Sequence, residues 1–273
     1  MEMKEVRLNE IDPYEGTLLF KEIDQSIING IRRILISEIP SYCLDTIELK
    51  KNNTIMNDEY LVHRIGLIPF TFVKNEENFR NQEDCNCING CEKCHLYFSL
   101  EKENNTDELL PVYSSDFQLE NNEEYNIKPV EFKNFKNGIL ICYLDKNESI
   151  SLRGRIHKGM GKDHAKWSCV SNSSFKEISS IKIKNNELSE EETDKIISSC
   201  PVNLFYQEDG ILKIKNEENC IQCSECTENK NIEYTYHLKD FLMNIESNGS
   251  YTIKNLFQKS LSILDQKLNS LKV

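Results

Sequence analysis

Four cysteines fall within ten residues in "DCNCINGCEKC": Cys85, Cys87, Cys91 and Cys94. So dense a run dictates local structure more firmly than any apolar pattern. Four thiolates share one tetrahedral ion only if the loop turns back on itself. Asn89 and Gly90, between the pairs, tolerate positive φ and permit that reversal. Free thiols or two local disulfides are the alternatives, although Cys85 and Cys87 stand too close in sequence for easy bridging. A closed four-thiolate site leaves no open coordination position, so structural zinc is expected in place of redox catalysis. The adjacent His95 reads as a strand residue.

The rest of the chain must supply a core. At 273 residues it is long for one domain and comfortable for two or three, and 38% hydrophobic against 29% charged residues argues for folded structure. No apolar run approaches the roughly 20 residues that span a bilayer. The start, "MEMKEVRLNEIDPYEG", lacks the apolar stretch of a signal peptide, which reads as an intracellular protein whose clustered cysteines hold metal. A formal net charge of −12 argues against direct nucleic-acid binding, which draws its affinity from phosphate neutralisation. Ile, Lys and Asn abound and Ala165 is the sole alanine, a bias that suits the A+T-rich genome of a protist, a reduced parasite or a large DNA virus.

Two amphipathic helices bracket the chain. After a strand in "TLLFKEI", the segment "DQSIINGIRRILISEIP" places Ile27, Ile28, Ile31, Ile34, Leu35 and Ile39 at three- and four-residue spacing. Asp24 is its expected N-cap and Pro40 its stop. Gly30, mid-helix, costs about 1 kcal/mol relative to Ala, and a close approach by another helix would explain it. At the other end, "TIKNLFQKSLSILDQKLNSLKV" carries Ile253, Leu256, Phe257, Leu261, Leu264, Leu268 and Leu271 on one stripe. That stripe needs a cover, in its own core or on a partner. Between the helices, residues 44–150 read as short strands ("LDTIELK", "HLYFSLE", "NGILICYL"). "SFKEISSIKIK" reads as another strand, and "NNELSEEETDKI" as a helix start or linker. "IEYTYHL" and "FLMNIES" read as two strands before a turn at Asn248-Gly249.

A second cysteine set follows a different rule. Cys220, Cys223 and Cys226 stand in "CIQCSEC", the C-x2-C-x2-C spacing that wraps three corners of an iron–sulfur cubane. Lys230 occupies the place of the fourth local cysteine. Cys200, in the upstream Cys200-Pro201 pair, is available to complete one four-thiolate set. One 4Fe-4S cluster, a second zinc, or no metal are all open. Cys43, Cys142 and Cys169 stand alone and read as buried residues.

Four segments, in order, resemble a known family. "NGIRRILISEIPS" is similar to the first helix of the RNA polymerase α-like subunits: bacterial α, its archaeal counterpart, and the third-largest subunit of polymerase II with its polymerase I/III equivalent. "NDEYLVHRIGLIPF" resembles that family's D-E-x-x-x-H-R-x-G-L-I-P segment, and "GMGKDHAKWS" its G-K-[DE]-H-A-K-W segment. "IESNGSYTIKNLFQKSLSILDQKL" resembles its closing strand, turn and helix.

The resemblance implies an α+β fold. A discontinuous α-like dimerisation domain, residues 1–43 and 231–273, would enclose an inserted, mainly-β middle domain, 44–175, carrying the zinc loop 85–94. A small ferredoxin-like insertion would occupy 176–230. The implied function is that of a non-catalytic assembly subunit of a multisubunit DNA-dependent RNA polymerase, with no catalytic residue on this chain. It would pair with a smaller α-like subunit and dock the second-largest subunit and small zinc-binding subunits. The expected interface comprises Ile28, Ile31, Arg32, Arg33, Leu35, His63, Arg64, Lys162, His164, Lys166, Leu256, Phe257, Leu261, Leu264 and Leu268, with Trp167 packing. Location in the nucleus follows, or in a virion or cytoplasmic viral factory if the source is a virus. The first cysteine loop resembles the polymerase II type and the second set the archaeal type. Residues 200–226 alone would support another class, an iron–sulfur electron carrier or redox sensor.

Overall fold

The computed structural model describes residues 5–74, 76–81, 84–87, 91, 93–120, 125–131, 137–184 and 188–271. It is a mixed α+β structure. In order the elements are β1 (Glu5–Asp12), β2 (Glu15–Lys21), α1 (Gln25–Ser37), β3 (Pro40–Asn52), α2 (Asp58–Gly66), β4 (Pro69–Lys74), β5 (Leu96–Glu103), β6 (Leu110–Tyr113), β7 (Gln118–Leu119), β8 (Asn126–Pro129) and β9 (Leu140–Leu144). There follow β10 (Ser149–Met160), β11 (Val170–Ile183), α3 (Glu190–Ser199), β12 (Phe205–Glu208), β13 (Ile211–Ile214), β14 (Ile232–Ser247) and α4 (Ile253–Ser270). None of the described helices is long and apolar enough to cross a membrane.

The chain divides into two compact units. The larger comprises Glu10–Gly16, Gly30–Ser173 and Ile245–Val273. It is built on a six-stranded sheet ordered β7-β5-β10-β3-β4-β8. β10 pairs antiparallel with both β3 and β5, so that Leu152 lies between Leu49 and Leu100. Alternation decides the faces: Leu152, Gly154 and Ile156 point inward, while Arg153, Arg155 and His157 are only half-buried. Gly154 lies under Leu44, whose Cδ2 would stand 2.9 Å from an added Cβ. Two glycines and four charged or histidine positions hide this strand from propensity rules.

Residues 44–150 are not all strand. α2 packs against β3 through buried Leu61 and Ile65. Its signals are local: Asn57 accepts from Tyr60 N–H as N-cap, Asp58 and Glu59 fill the first turn, and His63 and Arg64 the last. Phe70 and Phe98, both buried, pack with their ring centres 5.0 Å apart and tilted by 55°.

The smaller unit comprises Met1–Asn9, Thr17–Asn29 and Ser174–Asn244. It holds most of a four-stranded sheet ordered β1-β2-β14-β11, and the β12-β13 hairpin. The two expected strands at 232–247 are one continuous β14. "NNELSEEETDKI" leads into α3, whose Ser189 and Glu192 form a reciprocal capping box. Ile196, Leu204, Phe205, Leu212 and Ile232 form its apolar core, and Cys200 and Cys226 are buried with them.

Asp24 caps α1 as expected, accepting from Ser26 N–H at 2.9 Å. Among the described residues nothing lies within 4 Å of a Cβ built on Gly30, so no close approach by them explains that glycine.

Candidate functional site

The first cysteine set is gathered. The Sγ atoms of Cys85, Cys87, Cys91 and Cys94 all lie within 4.8 Å of one another. Cys85 to Cys91 is 3.5 Å, Cys87 to Cys94 3.4 Å and Cys91 to Cys94 3.8 Å. Those separations are too long for disulfides, and all four thiols are free. A tetrahedron with Zn–S bonds of 2.3 Å requires sulfurs about 3.8 Å apart, so the set fits a metal ion and suits zinc. The backbone N–H of Lys93 draws the Cys91 thiol down to about 7, whereas burial raises Cys94 to about 12. Asn89 and Gly90, the expected reversal, lie outside the described residues.

The loop is held at its neck. Arg80 N–H donates to Lys93 O at 2.9 Å, and His95 N–H to Cys91 O at 2.8 Å. His95 is buried just ahead of β5, as a structural residue. Before the neck, Phe79 is buried among Tyr42, Phe72 and Tyr125. Glu76 Oε1 accepts from Tyr42 at 3.2 Å, Tyr251 at 2.5 Å and Lys259 at 3.1 Å, which ties the loop's base to α4.

The second set differs. Cys200 and Cys226 are buried, Cys220 half-buried and Cys223 exposed. Among the described residues no second group of three or more ligands is gathered as closely as the first. The four do sense one another: burial raises the Cys226 thiol, and Cys220, Cys223 and Cys200 raise it further. Leu204 N–H points at Cys200 Sγ and Gln222 N–H at Cys220 Sγ, both at 3.4 Å. Gln222 and Ser224, between the cysteines, adopt left-handed φ of 60° and 68°. N–H···S bonds and a kinked backbone are what a thiolate-ligand loop requires.

The expected interface residues separate by burial. Ile28, Ile31, Leu35 and Leu256 are at most 1% exposed, covered within the chain itself. Helical spacing identifies this apolar stripe, and the chain's own residues bury it. On α4, Phe257 and Leu264 are half-buried while Leu261 and Leu268 are exposed, as is Leu271 beyond its end. On α1, Arg33 and Ile36 are exposed and Arg32 is half-buried. His63 is exposed on α2, but Arg64 turns inward, donating to Ile141 O at 3.2 Å and Leu140 O at 3.1 Å.

The "GMGKDHAKWS" segment is a built loop. Lys162 N–H donates to Ser37 O at 2.9 Å and Ser168 Oγ to Ile36 O at 3.0 Å, satisfying carbonyls at the end of α1. Gly161 is required there, since a Cβ would meet Ile36 O at 2.4 Å. His164 Nδ1 accepts from Lys166 N–H and caps the turn Ala165–Trp167. Lys166 binds Asp45 at 2.5 Å and is mostly buried. Burial pushes the Asp45 carboxyl up, but the bond to Lys166 more than offsets this and leaves it below its ordinary value. Lys162 and His164 remain exposed.

A family model of the RNA polymerase Rpb3/RpoA insert domain matches residues 44–196, more than half the chain. The chain is 28% identical to the DNA-directed RNA polymerase II subunit rpb3 of Dictyostelium discoideum, over 98% of its own length and 93% of that protein. It is 28% identical to DNA-directed RNA polymerase subunit Rpo3 of Methanosphaera stadtmanae, over 97% and 96%. Eukaryotic and archaeal relatives thus match at the same identity. The chain belongs to the RNA polymerase α-like subunit family.

Proposed function

We propose that this chain is a non-catalytic assembly subunit of a multisubunit DNA-dependent RNA polymerase. It pairs with a smaller α-like subunit through a discontinuous domain formed by residues 1–43 and 231–273. The observation that carries this is the asymmetry of α4. Its first turns are anchored by buried Ile253 and Leu256, while Leu261 and Leu268 stay exposed on the turns that follow. An apolar stripe left open along half a helix is the form of a surface completed by a partner. Phe257 and Leu264 flank it, and Arg33 and Ile36 of α1 offer a second exposed edge. The middle domain, 44–175, docks the second-largest subunit through His63, Lys162 and His164, and small zinc-binding subunits nearby.

Cys85, Cys87, Cys91 and Cys94 hold a structural zinc that fixes the loop 85–94. Cys200, Cys220, Cys223 and Cys226 hold a 4Fe-4S cluster within the insertion 176–230. The N–H···S contacts at Cys200 and Cys220 favour this, and they sustain the second reading of an electron carrier. Reversible reduction of the purified protein in voltammetry would support that reading. The eukaryotic relatives argue for the nucleus.

The test is co-purification. Leu261→Asp and Leu264→Asp should each abolish recovery of the smaller α-like subunit while zinc content stays at one ion per chain. Unchanged recovery would exclude α4 from the interface.

A further inference from the structure

A partly enclosed cavity of about 210 Å3 opens between the end of β10 and the turn Ala165–Trp167. Asn81, His157, Lys158, Met160, Asp163 and Trp167 line it. The segment that lines most of it inverts the chain's charge, although Glu76 and Asp84 also act on Lys158. "SLRGRIHKGMGKDHAKWS", residues 151–168, sets five cationic side chains against the single carboxylate of Asp163, in a chain of net charge −12.

Most of these cations are committed. Lys166 binds Asp45, Arg153 binds Glu120 at 2.7 Å, and Arg155 reaches Thr46 Oγ1 at 3.1 Å. Lys158 is different. It is half-buried, and its ammonium makes only a long 3.5 Å approach to Phe79 O. Burial lowers its pKa, against the pull of Glu76 and Asp84. Trp167 is the second unusual group. Its indole lies flat on Gly159, where a Cβ would stand 2.3 Å away, with the Lys166 ammonium 4.5 Å from the ring centre. The residue is 8% exposed, yet its buried Nε1–H has no acceptor among the described residues. An unmet buried donor costs about 1–3 kcal/mol, a deficit that an incoming acceptor removes.

We propose that this cavity receives a carboxylate side chain from an acidic segment of a neighbouring polypeptide, with the Lys158 ammonium and the Trp167 indole N–H as its donors. The volume suits one side chain and its waters. A phosphate backbone would need an extended groove and a less acidic chain. The inference deepens the assembly reading by naming the chemistry of one docked neighbour.

Trp167 is the sole tryptophan, so its emission reports the cavity directly. The zinc-loaded full chain is titrated with capped hexaglutamate, with capped hexaglutamine as the neutral counterpart, and with inorganic phosphate. Hexaglutamate should give a saturable, salt-sensitive change that hexaglutamine does not. Lys158→Met should weaken hexaglutamate binding by about 10-fold or more, and Asp163→Asn should tighten it by about 3-fold. Lys158→Gln serves as the second variant, and unaltered emission without peptide certifies the fold of each. An equal response to hexaglutamine or phosphate, or full affinity in both Lys158 variants, overturns the proposal. Such a failure leaves the assembly reading standing, because that reading rests on α4.

Discussion

The two cysteine sets share a ligand type and differ in almost everything else. Cys85, Cys87, Cys91 and Cys94 sit on one short loop and converge to within 4.8 Å. Cys200, Cys220, Cys223 and Cys226 come from two segments, and two of them lie in an apolar core with Ile196, Leu204 and Phe205. The first set has little reason to converge except the ion. The second contributes packing whether or not it holds metal. A cysteine's spacing thus announces ligand chemistry, whereas its burial says how much structure survives without the ligand.

The largest effect that would break this contrast is loss of zinc. Cys87→Ser with Cys91→Ser should release one zinc per chain and destabilise the larger unit by several kcal/mol, a fall in Tm of roughly 10 °C or more. Metal analysis beside calorimetry checks both, and retention of zinc would refute the site. Next is a purely steric test. Gly159→Ala drives a methyl into the Trp167 indole and should cost about 1–3 kcal/mol, seen in urea unfolding. In the smaller unit, Cys200→Ser should cost about 1–2 kcal/mol by placing a hydroxyl in an apolar core, while exposed Cys223→Ser should stay near zero. If instead both cost alike and both release iron, the second set is as metal-dependent as the first and the contrast falls.

What the sequence made legible was local. Residue spacing revealed α1 and α4, and Asp24 marked an N-cap. Ser189 and Glu192 carry a capping box, a signal local to four residues. The first cysteine loop was legible because its four thiols are neighbours in the chain. What stayed hidden was non-local. β10 reads poorly because Gly154 and Gly159 are dictated by Leu44 and Trp167, which come from other segments. α2 is short, with only Leu61 and Ile65 buried. Spacing shows that Ile28, Ile31 and Leu35 face one way, but not what covers them. The inward bonds of Arg64 leave no trace in sequence, because its carbonyl acceptors on β9 lie 76 and 77 residues away.

The end of α1 is closed by Lys162 and Ser168, the latter across 132 residues. On a ribosome adding about 5–20 residues per second, those carbonyls wait roughly 10 s for their donors. During that interval the helix has formed its hydrogen-bonded turns but lacks its final closure, and the long-range pairing of β3 with β10 is equally deferred. The larger unit therefore completes late and all at once, so a nascent chain offers its partners nothing finished to bind until most of its length has emerged.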